Sequence, residues 1–210
     1  MRRVAGIVLA AGASRRMGPE TNKLLEEVGG AALVCWAVDA LLACSAAPVI
    51  VVTGYDEAGV RRALGARNVR VVQHAAWAEG MGGSIARGIQ EIGAIASDCE
   101  GVLVCMGDLP ALRGEHVRPL LQAFAAAARD AICIPTHAGR RGHPVLFAEA
   151  YFAELGALSG EAGARSLLER HREALIEVEI GSEAILHDVD TPDALAEARQ
   201  ANEESETGSA

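Results

Sequence analysis

The sequence predicts an α/β domain with a mainly parallel sheet covered on both faces, and three observations carry that expectation. Short aliphatic runs recur along the chain, segments with apolar residues at helical spacing separate them, and several runs stop at turns bearing glycine or aspartate. Strands buried on both faces read as continuous apolar runs rather than alternating ones, as a helix-covered parallel sheet requires.

Val4–Leu9 reads as a buried strand leading into the loop Ala10-Ala11-Gly12. Ala32–Ala43 places Leu33, Trp36, Ala37, Ala40 and Leu41 on one helical face. Val49–Thr53 is a second strand ended by Gly54, Glu57–Leu64 a helix, and Val69–Gln73 a third strand. A helix over Ser84–Ile92 follows a glycine cluster, and the strand Val102–Cys105 is broken by Gly107-Asp108-Leu109-Pro110. Glu115–Ala128 is a helix, and Ala131–Ile134 a strand stopped by Pro135. Gly139–Gly142 reads as a hairpin tip leading into Pro144–Phe147, Gly163–His171 as a helix, and Ile176–Ile180 and Ile185–Val189 as strands. Thr191 is the N-cap and Pro192 the first residue of a last helix.

The chain has 210 residues, and surface scaling lets a chain of this size bury roughly 70% of its surface, enough for one domain without disulfides or metal staples. One domain is expected over residues 1–201, with a polar, disordered tail over 202–210. Aromatics are only 3% of the residues, so the core is aliphatic and a base-stacking platform for single strands is not expected. The formal charge of −9 argues against a surface that wraps a polyanion, so no nucleic-acid partner is expected. No apolar stretch is long enough to span a membrane. The segment Met1-Arg2-Arg3-Val4 runs straight into the first strand with no signal-peptide pattern. The five cysteines are widely spaced and form no C-x-x-C pair, which reads as buried reduced thiols in a cytoplasmic protein.

In open α/β sheets, ligands sit beyond the carboxyl ends of the strands, and three features fall there. The first is the loop from Leu9 to Gly18, with Ala10, Ala11, Gly12 and Ser14 small enough for backbone N–H groups to approach phosphate oxygens. Arg16 and Lys23 can neutralise those oxygens, and Lys23 is the only lysine in the chain. The loop fits neither G-x-x-x-x-G-K-[ST] nor G-x-G-x-x-G, and its bland reading is a turn with solvated arginines. The second is Asp108, a carboxylate suited to a Mg2+ that bridges phosphates, or otherwise a turn aspartate ahead of Pro110. The third is Asp188-x-Asp190, whose carboxylates share one face of an extended segment in metal-like spacing or else face the N-terminus of the next helix. The histidines form no H-E-x-x-H or Cys/His cluster, so zinc is not expected.

Together these motifs resemble the MobA-like nucleotidyltransferases, and within them the molybdenum cofactor cytidylyltransferases. Leu9–Gly18 with Asn22-Lys23-Leu24-Leu25 is similar to L-A-A-G-x-S-x-R-M-G…N-K-L-L. Gly80-Met81-Gly82-Gly83-Ser84 resembles G-M-S-S-S with two glycines for serines. Gly107-Asp108-Leu109-Pro110 resembles G-D-[QM]-P, and Gly142-His143-Pro144-Val145-Leu146-Phe147 resembles G-x-P-V-L-F. Gly160–Arg165 resembles G-D-x-G-A-R with Glu161 for Asp, and Asp188–Pro192 is similar to D-[IV]-D-T-P.

The resemblance implies a Rossmann-like three-layer α/β/α nucleotidyltransferase fold with a mixed sheet. It implies that the first loop, Arg16 and Lys23 hold a triphosphate, and that Gly80, Met81, Gly82 and Ser84 approach the base or ribose. It gives Asp108 and Asp190 to Mg2+, and Gly142, His143, Pro144, Gly163 and Arg165 to the molybdopterin. Guanylyl relatives read L-A-G-G with Asp before the lysine, so Ala11 and Asn22 place the chain with the cytidylyl branch. The implied reaction joins the terminal phosphate of molybdenum-molybdopterin to the α-phosphorus of CTP. The implied recipient is a xanthine-dehydrogenase-type molybdoenzyme or its chaperone. Two alternatives stay open: transfer from CTP or GTP to another small phosphorylated acceptor, and a non-catalytic molybdopterin carrier or chaperone.

Overall fold

The computed structural model describes residues 2–17 and 22–207, with side chains as far as residue 203. Gly18 of the predicted phosphate loop, residues 19–21 after it, and residues 1 and 208–210 lie outside the described residues.

The central sheet is parallel apart from one inserted strand and one short flanking strand. Its strands are β1 (Val4–Ala10), β4 (Val49–Thr53), β5 (Arg70–Gln73), β6 (Gly101–Met106), β7 (Ile132–His137), β8 (Arg140–Arg141), β9 (Val145–Ala148) and β10 (Leu175–Glu179). They run in the order β10-β7-β9-β6-β1-β4-β5, with β8 paired to β7. β9 is antiparallel to both β6 and β7, which makes the sheet mixed. A separate hairpin joins β2 (Glu27–Val28) to β3 (Ala31–Ala32) through Gly29 and Gly30, both at positive φ, the conformation a two-residue hairpin turn favours.

The helices are α1 (Leu33–Leu42), α2 (Glu57–Leu64), α3 (Met81–Ile95), α4 (Gly114–Ala126), α5 (Phe152–Gly156), α6 (Arg165–Arg170) and α7 (Pro192–Thr207). Successive strand residues point to opposite faces, and β1 shows both covers. A side chain at Gly6 would meet Leu41 of α1, while Ile7 fills the space left by Gly88 of α3. Gly101 of β6, opposite Val4, receives Phe124 of α4 on the α1 face. Ile7, Val8, Val51, Leu103 and Cys105 are fully buried between these layers. No described helix is long and apolar enough to cross a membrane.

The order places the topological switch at β1. The chain leaves β1 toward β4 and β5 on one side and returns to β6 on the other. Ligands of open sheets bind outside such a point, and the loops after β1 and β6 meet there.

Two expectations need correction. β7 does not stop at Pro135 but runs to His137. Pairing with β9 ends at Cys133 and pairing with β8 begins at Thr136, so the missing proline N–H falls where the neighbour changes. Ile185–Val189 is not a strand. A 3-10 turn spans Glu183–Ile185, and the segment's backbone bonds go to other loops: Ile185 accepts from His143 N at 2.9 Å, and Val189 N donates to the Asp108 carbonyl at 3.1 Å. The last helix, α7, runs to Thr207. That helix grips the β2–β3 hairpin, with Arg199 donating to the Glu27 carbonyl and pairing with Glu26 at 2.8 Å. Val28, Leu33, Val189 and Leu195 form a second small core between them.

Candidate active site

After β1 the chain turns through Ser14, at φ 51, into a 3-10 turn over Arg15–Met17. The far side of the loop is fastened by two short polar side chains. Ser14 Oγ accepts from Lys23 N at 3.1 Å, and Asn22 Oδ1 accepts from Leu24 N at 3.1 Å. These bonds cap the 3-10 turn Lys23–Leu25 and send the Lys23 side chain inward.

At the end of β6, Gly107 N donates to the Leu9 carbonyl at 3.1 Å, so the two switch-point loops touch through backbone alone. Asp108 follows, with its side chain 5% exposed. Its carbonyl bond with Val189 carries Asp188 and Asp190 to the same place. Lys23 Nζ donates to Asp108 Oδ2 at 2.6 Å and to Asp190 Oδ1 at 2.5 Å, and Arg16 Nη1 donates to Asp190 Oδ2 at 2.6 Å. Burial pulls the Lys23 ammonium down, but Asp108 and Asp190 together hold it above its ordinary value. Burial pushes the Asp108 carboxyl up against the opposing pull of Lys23. The hydrogen bond from Lys23 lowers Asp190.

One carboxylate oxygen from each of Asp108, Asp188 and Asp190 lies within 4.8 Å of the other two. Asp108 Oδ1 is buried with no hydrogen-bond partner among the described residues. An all-oxygen donor set with a spare buried lone pair fits a hard divalent cation.

These groups open into a cavity of about 440 Å³. Of the expected nucleotide and metal residues, Leu9, Ala11, Gly12, Ser14, Arg16, Lys23, Gly80, Met81, Ser84, Asp108 and Asp190 all line it. Ala10 does not line it and is buried within β1. Gly82 does not line it either. A Cβ there would lie 2.7 Å from the Ser159 carbonyl oxygen, and Gly82 N donates to the Gly160 carbonyl at 2.8 Å. The absence of a serine at this position therefore has a packing reason: the space belongs to the backbone of residues 159–160.

The residues that the resemblance gave to molybdopterin do not line this cavity. Gly142 and His143 are tied by backbone bonds to Pro135 and Ile185. The His143 ring lies behind the acids. Burial holds its pKa down against Val104, Asp108 and Asp188, and its Nδ1 has no partner. Pro144 is buried beside it. Gly163 packs on Met81 of α3, and Arg165 is largely exposed and pairs with Glu169 at 3.3 Å.

Sequence reasoning left Asp188 out of the metal set although the D-x-D spacing offered it. It also missed Trp77 and Glu161, both of which line the cavity. Glu161 lay within the Gly160–Arg165 motif, whose other residues were given to the pterin, and Trp77 carries no local signal because it arrives through loop packing that only the folded chain shows.

Comparison with known proteins agrees with this geometry. The chain is 31% identical over 194 residues to nicotine blue oxidoreductase of Paenarthrobacter nicotinovorans, covering 90% of this chain and 92% of that protein. It is 28% identical over 209 residues to the purine catabolism protein PucB of Bacillus subtilis, covering 93% and 96%. Its fold is similar to that of a nucleotidyl transferase from Methanothermobacter, with a TM-score of 0.82 over 98% of this chain and 100% of that one at 21% identity. Residues 6–175 match the MobA-like NTP transferase domain, and the chain belongs to that family.

Proposed function

We propose that the protein transfers CMP from CTP to the terminal phosphate of molybdenum-molybdopterin, giving the cytosine dinucleotide cofactor and pyrophosphate, with Mg2+ as the metal. The observation that carries this reading is the meeting of Lys23 with Asp108 and Asp190 inside a cavity lined by the glycine loop.

The attacking group is a phosphate monoester whose second pKa is about 6, so it is largely dianionic at neutral pH and needs no general base. One of its oxygens bonds to the α-phosphorus as the bond from that phosphorus to the β-phosphate oxygen breaks, and pyrophosphate leaves. The obstacle is repulsion between two anions, so positioning and charge neutralisation carry the catalysis. Lys23 and Arg16 supply two of the positive charges, and the small residues after β1 let backbone N–H groups reach the phosphates. A divalent ion held by Asp108, Asp188 and Asp190 would polarise phosphoryl oxygens and offset the charge on the leaving group.

Support for the acceptor and for CTP comes from the motifs shared with the cytidylyltransferase branch, Ala11 among them. Five free, buried cysteines favour a reducing compartment, the cytoplasm. One observation favours a second reading, transfer to a different small phosphorylated acceptor: the five residues given to the pterin line no part of the cavity. The oxidoreductase name of one relative raises a redox alternative, but the loop after β1 lacks the G-x-G-x-x-G dinucleotide fingerprint.

The test is incubation of the purified protein with molybdenum-molybdopterin, CTP or GTP, and Mg2+, followed by product identification by mass. The cytosine dinucleotide and equimolar pyrophosphate are expected. Pyrophosphate released only with sugar or polyol phosphates would select the second reading, and no release with any acceptor would reject transfer.

A further inference from the structure

We propose that Trp77 and Glu161 form the nucleobase subsite of the cavity. Trp77 offers a ring face, and the Glu161 carboxylate accepts a hydrogen bond from an exocyclic amino group, so cytosine is selected over uracil. This inference rests on the nucleotidyl-transfer reading and names the residues that read the base.

The cavity contains three acids. Two are engaged with Lys23, and the third, Glu161, makes no hydrogen bond or ion pair among the described residues. A bare carboxylate beside a triphosphate repels it. Such a group suits a part of the ligand that is uncharged and rich in donors, and the amino group of cytosine is a matched partner for a carboxylate.

The loop bearing Glu161 is fixed against the N-terminus of α3. Besides the bond from Gly82 to the Gly160 carbonyl, a Cβ at Gly80 would lie 2.5 Å from that carbonyl oxygen and 2.6 Å from Glu161 N. Gly80, at φ 120, therefore has room for no side chain and brings Glu161 onto the turn. On the other side of the same glycine, Gly80 N donates to the Trp77 carbonyl at 3.3 Å.

Among the described residues Trp77 is the only aromatic lining the cavity, in a chain where aromatics are 3% of residues and one placed at a ligand wall has few chance explanations. Its ring is held in orientation by Tyr55, edge-on with centroids 5.7 Å apart. The root of its side chain sits on Gly54, where a Cβ would lie 2.5 Å from Trp77 Cβ. Tyr55 N donates to the Ala11 carbonyl at 3.1 Å, which ties this aromatic corner to the phosphate loop. Aromatic faces stack on any base, so Trp77 supplies affinity and Glu161 supplies choice.

The test uses the full chain carrying Trp36→Phe, which leaves Trp77 as the sole tryptophan, with calorimetry on the unaltered protein as the second measurement. CTP and UTP, which differ at this position only by amino against keto, are titrated with Mg2+. CTP is expected to quench the Trp77 emission and to bind about tenfold tighter than UTP. Glu161→Gln, whose amide can donate to uracil, is expected to bring that ratio to within about twofold. Trp77→Ala is expected to weaken both nucleotides by about tenfold and leave the ratio in place. An unaltered ratio in Glu161→Gln, or CTP binding with no change in Trp77 emission, would overturn the inference alone. Loss of neopterin binding in Glu161→Gln with an unaltered CTP/UTP ratio would also overturn it, because Glu161 would then read the pterin. Absence of binding by any nucleoside triphosphate would overturn the transfer reading as well.

Discussion

The Lys23–Asp108–Asp190 knot and the surface pair Arg61–Glu57 use the same chemistry with different consequences. The second is a neighbouring-turn pair on α2, with side chains 56% and 29% exposed. The first joins side chains 13% and 5% exposed across 85 positions of chain. Water screens the surface pair, whose strength falls in the range of a few tenths of a kcal/mol. In the knot, water is scarce and each charge depends on the other two. A fold does not assemble such an arrangement for stability, since buried ion pairs give little net stabilisation. The difference points to a ligand that takes over one side of the arrangement.

The largest effect that would sharpen this contrast is on turnover. Asp108→Ala is expected to lower CTP-dependent pyrophosphate release by about 10³-fold or more, with the far-ultraviolet circular dichroism spectrum unchanged. A rate near that of the unaltered protein would break the contrast at its centre. Lys23→Arg keeps the charge but replaces a compact ammonium with a planar fork, and a loss of about 10²-fold is expected in the same assay. Full activity there would make the lone lysine incidental.

The third effect concerns buried thiols. Burial pushes the Cys133 thiol up to about 11 against the opposing pull of Arg2, and burial with Asp108 nearby raises Cys105 further. The folded state therefore holds these protons more tightly than the unfolded chain. Their contribution to stability is fully present below about pH 9 and is lost as pH rises toward 11. Urea midpoints are expected to fall across that window, and less so in Cys133→Ala. The smallest effect is on the surface: Arg61→Ala is expected to shift urea stability by no more than about 0.5 kcal/mol and to leave the rate unchanged.

Much of this molecule was legible before folding. Val49–Thr53 and Glu57–Leu64 fall at the predicted bounds, because an uninterrupted apolar run ended by glycine and an amphipathic segment capped by Asp56 each carry their signal locally. The knot was legible as well, since Lys23, Asp108 and Asp190 each follow a recognisable turn. Ile185–Val189 was not, because its buried Ile185 and Val189 mimic strand alternation while their own backbone groups bond to other loops. Trp77 and Glu161 stand 84 positions apart, and backbone contacts at Gly80 and Gly82 bring their segments together.

Lys23 and Asp190 are separated by 167 positions. On the ribosome, the first emerges early and the second with the closing helix, after β1 to β10 have all been made. A nascent chain can pair its parallel strands and still lack the Lys23–Asp190 contact. The proposed grip on phosphate thus waits until the segment beyond β10 has been made, and a product terminated before Asp190 would fold its sheet without it.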